Sequence, residues 1–448
     1  MIKKLKANAD QKYKSENRFT PGCIIKKKSR KKSGKKLASR KKLVRKKSRK
    51  KLASRKKRKS KFRMSNNQNR RHDALFQSEK TVGRFLNSSE VRALRSVNKE
   101  NIKTTSKSLS FSGYKYDDNF VSFPRMMAFI NKNKPTDTSG HISDITKIKI
   151  HSMDLSDSMD LSELVEVLKN LNIKHMEMTE CQITDITDLS ALTRLESLNI
   201  SYNQITDITD LSALTRLESL DLSYNQITDI ASLSTLTRLE SLNLNSNRIT
   251  DITSLSTLAR LKTLYLNWNR ITDITGLSSL IQLKTLDLDK NKITDITSLS
   301  SLSQLKTLIL SHNQITDITD LSALTRLESL NLYSNRITDI ASLSTLTRLE
   351  SLNIGGNQIT DITSLAALTR LKKLVLVRNQ ITDITSLSAL TQLEYLDLGY
   401  NLITDITSLS ALTQLEYLDL RNNLITDITG LASLKQLKIL TTFGNPIS

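Results

Sequence analysis

Residues 195–211 read LESLNISYNQITDITDL, and closely similar segments return every 22 residues towards the end of the chain. Apolar and polar residues alternate over LNI (198–200), which predicts a short strand. Asn203 stands where the chain must leave that strand, and Ile205 and Ile208 follow it. A strand this short cannot bury its apolar face alone. Successive copies must therefore stack and share one core.

The repeat keeps its period without insertions. Its unit reads L-x-x-L-x-x-L-x-L-x-x-N-x-I-T-D-I-x-x-L, in which an L-x-L strand precedes an asparagine and a turn. Cys181 takes the place of the asparagine in the first regular unit. The asparagine itself recurs at positions 203, 225, 247, 269, 291, 313, 335, 357, 379, 401, 423 and 445.

This pattern is the leucine-rich repeat signature, and its length and N-x-I-x-D-I-x-x-L ending resemble the internalin-like class. The same class includes the nuclear regulatory subunit of type-1 protein phosphatase. The resemblance implies an α/β leucine-rich repeat solenoid with a curved parallel sheet on its concave face. The segment that returns to the next strand is too short for a full α-helix, so we expect 3₁₀ or short helical turns on the convex face.

An aspartate recurs in register with the asparagine, twelve times from Asp185 to Asp427. Asp207 lies between two inward isoleucines, so it is predicted to point outward and to accept a hydrogen bond from an N–H of the following turn. A ladder of calcium sites is the alternative, because carboxylates are hard oxygen ligands. Each unit offers a single carboxylate at this position and no glycine-rich ligand loop. We therefore interpret the aspartates as structural, and we predict no metal and no cofactor.

The units are near copies, so specificity must come from the positions that differ. Residues 210–220, for example, recur at 320–330. The differing positions are the outward residues six, four, two and one before each asparagine. Tyr, Trp and Arg are the residue types enriched in interface hot spots, and solenoids bind partners on such surfaces. The alternative is that these side chains simply cover the sheet. The predicted protein-binding residues are Tyr202, Tyr224, Tyr265, Trp268, His312, Tyr333, Lys372, Lys373, Arg378, Tyr395, Tyr400 and Tyr417.

The N-terminal residues 1–71 form a polybasic tail. They hold 32 lysines and arginines against two acidic residues, whereas residues 181–448 carry a small negative net charge. Such a tail is expected to be disordered and to bind polyanions such as nucleic acid, or to act as a nuclear targeting signal. The alternative is a solubilising tail without a specific ligand. Representative predicted polyanion-binding residues are Lys26, Lys27, Lys28, Arg30, Arg40, Arg45, Arg49, Arg55 and Arg58.

Between the tail and the repeats, residues 72–140 are predicted to contain a small helical pair and a loosely ordered connector. The stretch RFLNSSEVRALRSVNKE (84–100) resembles the F-box, although the Leu-Pro that usually opens an F-box is missing. The resemblance implies docking to a Skp1-type adaptor of a ubiquitin ligase; a plain helical lead-in is the alternative. The implied docking residues are Phe85, Leu86, Val91, Leu94 and Val97.

Residues 141–180 are predicted to be an irregular repeat that caps the solenoid 181–448. ITKIKIHSM (145–153) alternates like a strand, and SDSMDLSELVEVLKN (156–170) has the period of a helix with an N-cap. FPRMMAFINKN (123–133) is expected to add one short docked segment.

The remaining signals predict a non-enzymatic, intracellular protein that does not cross a membrane. The five histidines have no metal-ligand spacing, and the chain lacks a phosphate-binding loop and a nucleophile elbow. Its two cysteines give no disulfide framework, and we find no secretory signal or 18-residue apolar run. A bacterial adhesin is therefore disfavoured at this stage. A phosphatase regulator and an F-box-type substrate receptor stay open.

Overall fold

In the computed structural model, the described residues are 102–105, 108–112, 127, 146–153, 155 and 158–447. They form one sheet of sixteen strands in chain order. The polybasic residues and the F-box-like docking residues named above lie outside the described part of the chain. Strand β1 (Ile102–Thr105) pairs antiparallel with β2 (Ser108–Ser112), and every later neighbouring pair is parallel.

The irregular N-terminal repeat contains one α-helix. Strand β3 (Lys147–His151) leads to helix α1 (Ser158–Leu168), which returns the chain to β4 (His175–Thr179). The predicted strand and helix are therefore both present. Met127, within the predicted docked segment, is helical and buried in the same core. The prediction of a loose connector over 101–140 was wrong at β1 and β2, because their backbones extend the sheet beyond β3.

Twelve short strands follow, one in each regular unit. Their central residue is a buried leucine in every case, whereas the first residue of each strand faces outward. Each strand pairs in parallel register with its neighbours 22 residues away, for example Leu308 with Leu286 and Leu330. Their bounds are β5 Ser197–Asn199, β6 Ser219–Asp221, β7 Ser241–Asn243, β8 Thr263–Tyr265, β9 Thr285–Asp287, β10 Thr307–Ile309, β11 Ser329–Asn331, β12 Ser351–Asn353, β13 Lys373–Val375, β14 Tyr395–Asp397, β15 Tyr417–Asp419 and β16 Ile439–Thr441.

A 3₁₀ turn lies opposite each strand, as the short return segment predicts. Ile205 and Ile208 are buried below the turn, and Leu211 and Leu214 are buried along the return. These 3₁₀ segments are η1 Thr187–Ala191, η2 Thr209–Ala213, η3 Ala231–Thr235, η4 Thr253–Thr257, η5 Thr275–Leu277, η6 Thr297–Ser301, η7 Thr319–Ala323, η8 Ala341–Thr345, η9 Thr363–Ala367, η10 Thr385–Ala389, η11 Thr407–Ala411 and η12 Thr429–Ser433.

The asparagine of each unit joins it to the unit before. Asn313 donates from Nδ2 to the carbonyl of Leu310 in its own unit and to that of Leu288 in the previous unit, each at 3.0 Å. Its Oδ1 accepts the N–H of Ile293 at 3.0 Å. The same bonds recur from Asn203 onward, so this column satisfies backbone groups that the turns leave buried.

The twelve aspartates cap the 3₁₀ turns. In each unit the carboxylate accepts the N–H of the residue two positions later, as Asp207 does from Thr209 at 2.9 Å. The Thr209 hydroxyl and N–H bonds lower the pKa of Asp207, because both favour the ionised carboxylate. Within the described residues, no group of three or more His, Cys, Asp or Glu side chains is arranged to hold a metal ion. These contacts support the structural interpretation of the aspartates.

Candidate functional site

The outward face of the strands, which we call the sheet face, carries a second set of side-chain caps. Asn199 accepts the N–H of Ser201 at 3.0 Å, and Asp221 accepts that of Ser223 at 2.9 Å. The same bond recurs at Asp397 and Asp419. A side chain that accepts the N–H two residues later bends the backbone out of the strand. This accounts for Asn and Asp at the third position of many strands. These residues maintain the frame, so contact residues must lie elsewhere on the face.

The residue directly before each asparagine has a left-handed backbone. We call this set of twelve residues, from Tyr202 to Gly444, the rim column. Every member has a positive φ, for example 56° at Trp268 and 65° at Gly356. Glycine accepts this conformation without strain, whereas a side chain costs about 1–2 kcal/mol there. Gly356 and Gly444 show that the fold accepts glycine in this column. The bulky side chains that seven other units carry at this position are therefore not required by the turn.

Replacement of Ser334 by Gly is expected to stabilise the solenoid by about 0.5–1 kcal/mol, because it removes a Cβ from a left-handed position with φ of 58°. Urea denaturation followed by circular dichroism measures the change. Ser329→Gly, in the strand of the same unit, is the control and is expected to destabilise the protein. A loss of stability in Ser334→Gly would show that the rim column is not strained.

Large side chains of the rim column and the strands form contacts between units. Tyr202 stacks on Tyr224 with ring centroids 4.1 Å apart. Tyr395 stacks on Tyr417 at 4.2 Å, and Lys373 lies over Tyr395. Such ladders follow from the parallel register, which places equivalent residues side by side.

A second cluster lies in the middle of the array. Trp268 is 53% exposed, and Lys290 of the next unit lies over its ring with Nζ 3.4 Å from the centroid. His312 forms a 2.8 Å contact between its Nδ1 and Asp289 and meets Tyr333 edge to face. Trp268 therefore projects from a left-handed backbone and keeps about half of its surface in water.

A third cluster lies near the C-terminal end of the array. Asp397 and Asp419 occupy neighbouring strands, and the Arg421 Nε lies 3.1 Å from Asp419. Burial raises the pKa of Asp419 to about 6 and also raises that of Asp397. A Cβ at Gly399 would stand 3.0 Å from Arg421 Cγ, so the glycine leaves room for the arginine across the face. Arg421 and Arg378 then approach the ring of Tyr400.

The structure places eleven of the twelve predicted binding residues at the outward positions named for them. Lys372 is the exception, because it precedes its strand, at the edge where the chain enters the sheet, and its Nζ pairs with Glu350 at 2.9 Å. The sequence analysis missed Lys290, Asp289 and Arg421. Their spacing from the asparagines was visible, but their contacts with aromatic and acidic residues of neighbouring units were not.

The short strands, buried leucines and asparagine ladder together define a leucine-rich repeat solenoid. The chain belongs to the leucine-rich repeat family: it matches the family profile described as Leucine Rich repeats (2 copies) over residues 167–213, 215–257, 259–301, 303–345, 325–367, 369–411 and 413–448. Comparison with curated proteins found no match.

Solved structures show the same architecture. An internalin (inlF) from Listeria monocytogenes is 37% identical, with a TM-score of 0.66 over 71% of this chain and 93% of the other. A leucine-rich repeat protein of Leptospira interrogans is 25% identical, with a TM-score of 0.59 over 69% and 86% of the two chains. The Arabidopsis receptor kinase HAESA, solved with a peptide hormone and a co-receptor, is 21% identical with a TM-score of 0.62 over 79% and 65%, and shows the fold alone.

Among the helices that the structure describes, none has the length and apolar character needed to cross a bilayer.

Proposed function

We propose that this chain is a non-enzymatic protein-binding module whose partner lies across the sheet face and contacts the rim column. One observation carries the proposal: large aromatic and cationic side chains occupy strained left-handed positions where the same fold accepts glycine. Natural sequences keep such strain mainly where a function depends on it. The family supports this reading, because leucine-rich repeat proteins generally act in protein–protein interaction.

The paired substitution Trp268→Ala and Tyr265→Ala is expected to weaken capture of the partner by about thirtyfold or more, because loss of a central aromatic anchor typically costs 2 kcal/mol or more. Affinity purification of the full chain with quantitative mass spectrometry identifies the partner and measures the loss. The pair Thr253→Ala and Thr275→Ala, on the opposite face of the same units, is the control. A partner retained equally by both variants would contradict the proposed site.

The polybasic tail gives the module a second proposed interaction. Residues 26–63 contain 24 lysines and arginines and no acidic residue, which is the composition of a segment that binds polyanions by releasing counterions. This tail would tether the solenoid to nucleic acid or direct it to the nucleus.

Affinity of the full chain for duplex DNA is therefore expected to fall by at least about a hundredfold between 50 and 200 mM salt. Deletion of residues 26–63 should abolish the binding, which fluorescence anisotropy measures. An affinity that is independent of salt would contradict the tail's proposed role.

An F-box-type substrate receptor is the second candidate, favoured by the order of an F-box-like segment before the repeats. Phe85, Leu86, Val91, Leu94 and Val97 would then contact a Skp1-type adaptor, while the solenoid selects the target. A pull-down of purified Skp1-type adaptor with and without residues 72–110 separates this candidate from a module that has no adaptor. A phosphatase regulator remains a third candidate, from the repeat class alone.

A further inference from the structure

The two edges of the sheet differ in whether their lysines and arginines form ion pairs. On the edge where the chain enters each strand, some lysines and arginines pair with glutamates of neighbouring units: Lys262 and Arg260 pair with Glu240 at 2.6 and 3.2 Å, and Lys306 pairs with Glu328 at 2.8 Å. Other cations of that edge, such as Arg194, Arg216 and Arg238, form no ion pair within the described residues. Because these pairs are exposed, they contribute little stability.

The opposite edge carries cations without such partners. The residue directly after each asparagine is glutamine in five of the twelve units and a lone arginine at position 336, whereas Arg248, Arg270 and Lys292 occupy three consecutive units. All three side chains are exposed, and within the described part of the chain none forms an ion pair. Parallel strands stand about 4.8 Å apart, so the three charges form a continuous row on that spacing.

Lys290 and Trp268 of the rim column belong to the same three units. The Lys290 ammonium lies 3.4 Å from the centre of the Trp268 ring. We call Arg248, Arg270, Trp268, Lys290 and Lys292 the basic band. It combines four positive charges with the most exposed aromatic ring of the central units.

The carboxylates nearest in sequence to the basic band have other partners. Asp289 contacts Ser311 Oγ and His312 Nδ1 at 2.6 and 2.8 Å. Asp251 and Asp273 accept the N–H groups that open the following 3₁₀ turns. None of these carboxylates forms an ion pair with a cation of the basic band, so the four cations are open to a ligand from outside the solenoid.

We propose that the basic band docks an acidic segment of a protein partner, with Trp268 as its apolar anchor. The inference deepens the proposed function and rests on it. Charge complementarity identifies the occupant, because a row of unpaired cations beside an exposed aromatic ring attracts carboxylates and excludes basic segments. The chain's own tail, rich in lysine and arginine, is excluded for the same reason.

Trp268 provides the test, because it is the single tryptophan of the chain. Addition of a ten-residue oligoglutamate peptide to the full chain at low salt is expected to shift its fluorescence saturably. The same titration of a chain that lacks residues 26–63 should give the same shift, which separates the response of Trp268 from binding of the peptide to the tail. An oligolysine peptide should produce no shift.

The triple variant Arg248→Gln, Arg270→Gln and Lys292→Gln should weaken this response about tenfold or more. Glutamine occurs at the equivalent positions 204, 226, 314, 358 and 380, so the variant is compatible with the fold. The control Arg194→Gln, Arg216→Gln and Arg238→Gln removes the same charge from the other edge, where glutamine also occurs naturally, at 282 and 304. It should respond like the wild type.

Three results would overturn the inference. They are the absence of a shift with oligoglutamate, equal weakening in both triple variants, and a response to single-stranded oligonucleotide but not to oligoglutamate. A partner that is lost on Trp268→Ala but retained by the band variant would refute the acidic-segment inference and leave the proposed function intact.

Discussion

Replacement of Asn313 by Ala is expected to lower the free energy of unfolding by about 3–5 kcal/mol. The side chain is 8% exposed, and its loss leaves the buried N–H of Ile293 without its acceptor. The carbonyls of Leu288 and Leu310 each lose one of two amide donors, because Asn291 and Asn335 still reach them. An unsatisfied buried donor costs about 1–3 kcal/mol, and each lost bond adds about 1 kcal/mol.

Urea denaturation of Asn313→Ala and the wild type measures this loss. Gln314→Ala is the control, since the hydrogen bond from Gln314 to Ile293 runs through the backbone and should survive. A change below about 0.5 kcal/mol in Asn313→Ala, comparable to that of an ordinary surface substitution, would refute the structural role of the asparagine column.

Replacement of Asp419 by Asn is expected to stabilise the solenoid at pH 7.5 by about 2–3 kcal/mol. Asp419 is 1% exposed, and its folded-state pKa of about 6 lies above the usual 3.8. The folded protein favours the protonated form of Asp419. The stability that this preference contributes is fully present below pH 3.8 and is lost as the pH rises through 6. The difference of about two pKa units corresponds to ~3 kcal/mol.

Asparagine preserves the bond that the carboxylate makes to the backbone, because Asn199 and Asn243 accept the equivalent N–H groups. The gain from Asp419→Asn should therefore vanish at pH 3.5, which denaturation at both pH values measures. Asp221→Asn, at the equivalent but less buried position, is the control for removal of a charge. A gain of the same size at both pH values would exclude titration of Asp419 as its cause.

The repeat fold was predictable because each 22-residue unit contains all the residues that its strand, its turn and its part of the core need. Leu198, Ile200, Ile205 and Ile208 had to point inward, and the 22-residue length left room only for a short turn. Polar strands were not predictable in this way. Strand β1 (Ile102–Thr105) pairs with β2, but its sequence IKTT shows no alternation of apolar and polar residues.

The candidate site was predictable in its place but not in its chemistry. The divergence of the copies indicated the outward positions, including Trp268 and Tyr202. The positive φ of the rim column was hidden, since bulky side chains do not signal a left-handed backbone. The approach of Arg421 to Asp419 and Tyr400 depends on space above Gly399, which becomes visible only when the units are stacked.

The central claim is that the invariant columns build the frame and the divergent residues of the sheet face bind the partner. Parallel measurement of unfolding free energy and affinity for the captured partner tests it most directly. Asp251→Ala with Asp273→Ala should lose stability and retain affinity, because these side chains cap turns and alanine cannot accept the N–H bonds. Trp268→Ala with Tyr265→Ala should lose at least thirtyfold in affinity while staying folded. Loss of affinity in the aspartate variant together with full binding by the Trp268 variant would contradict the account.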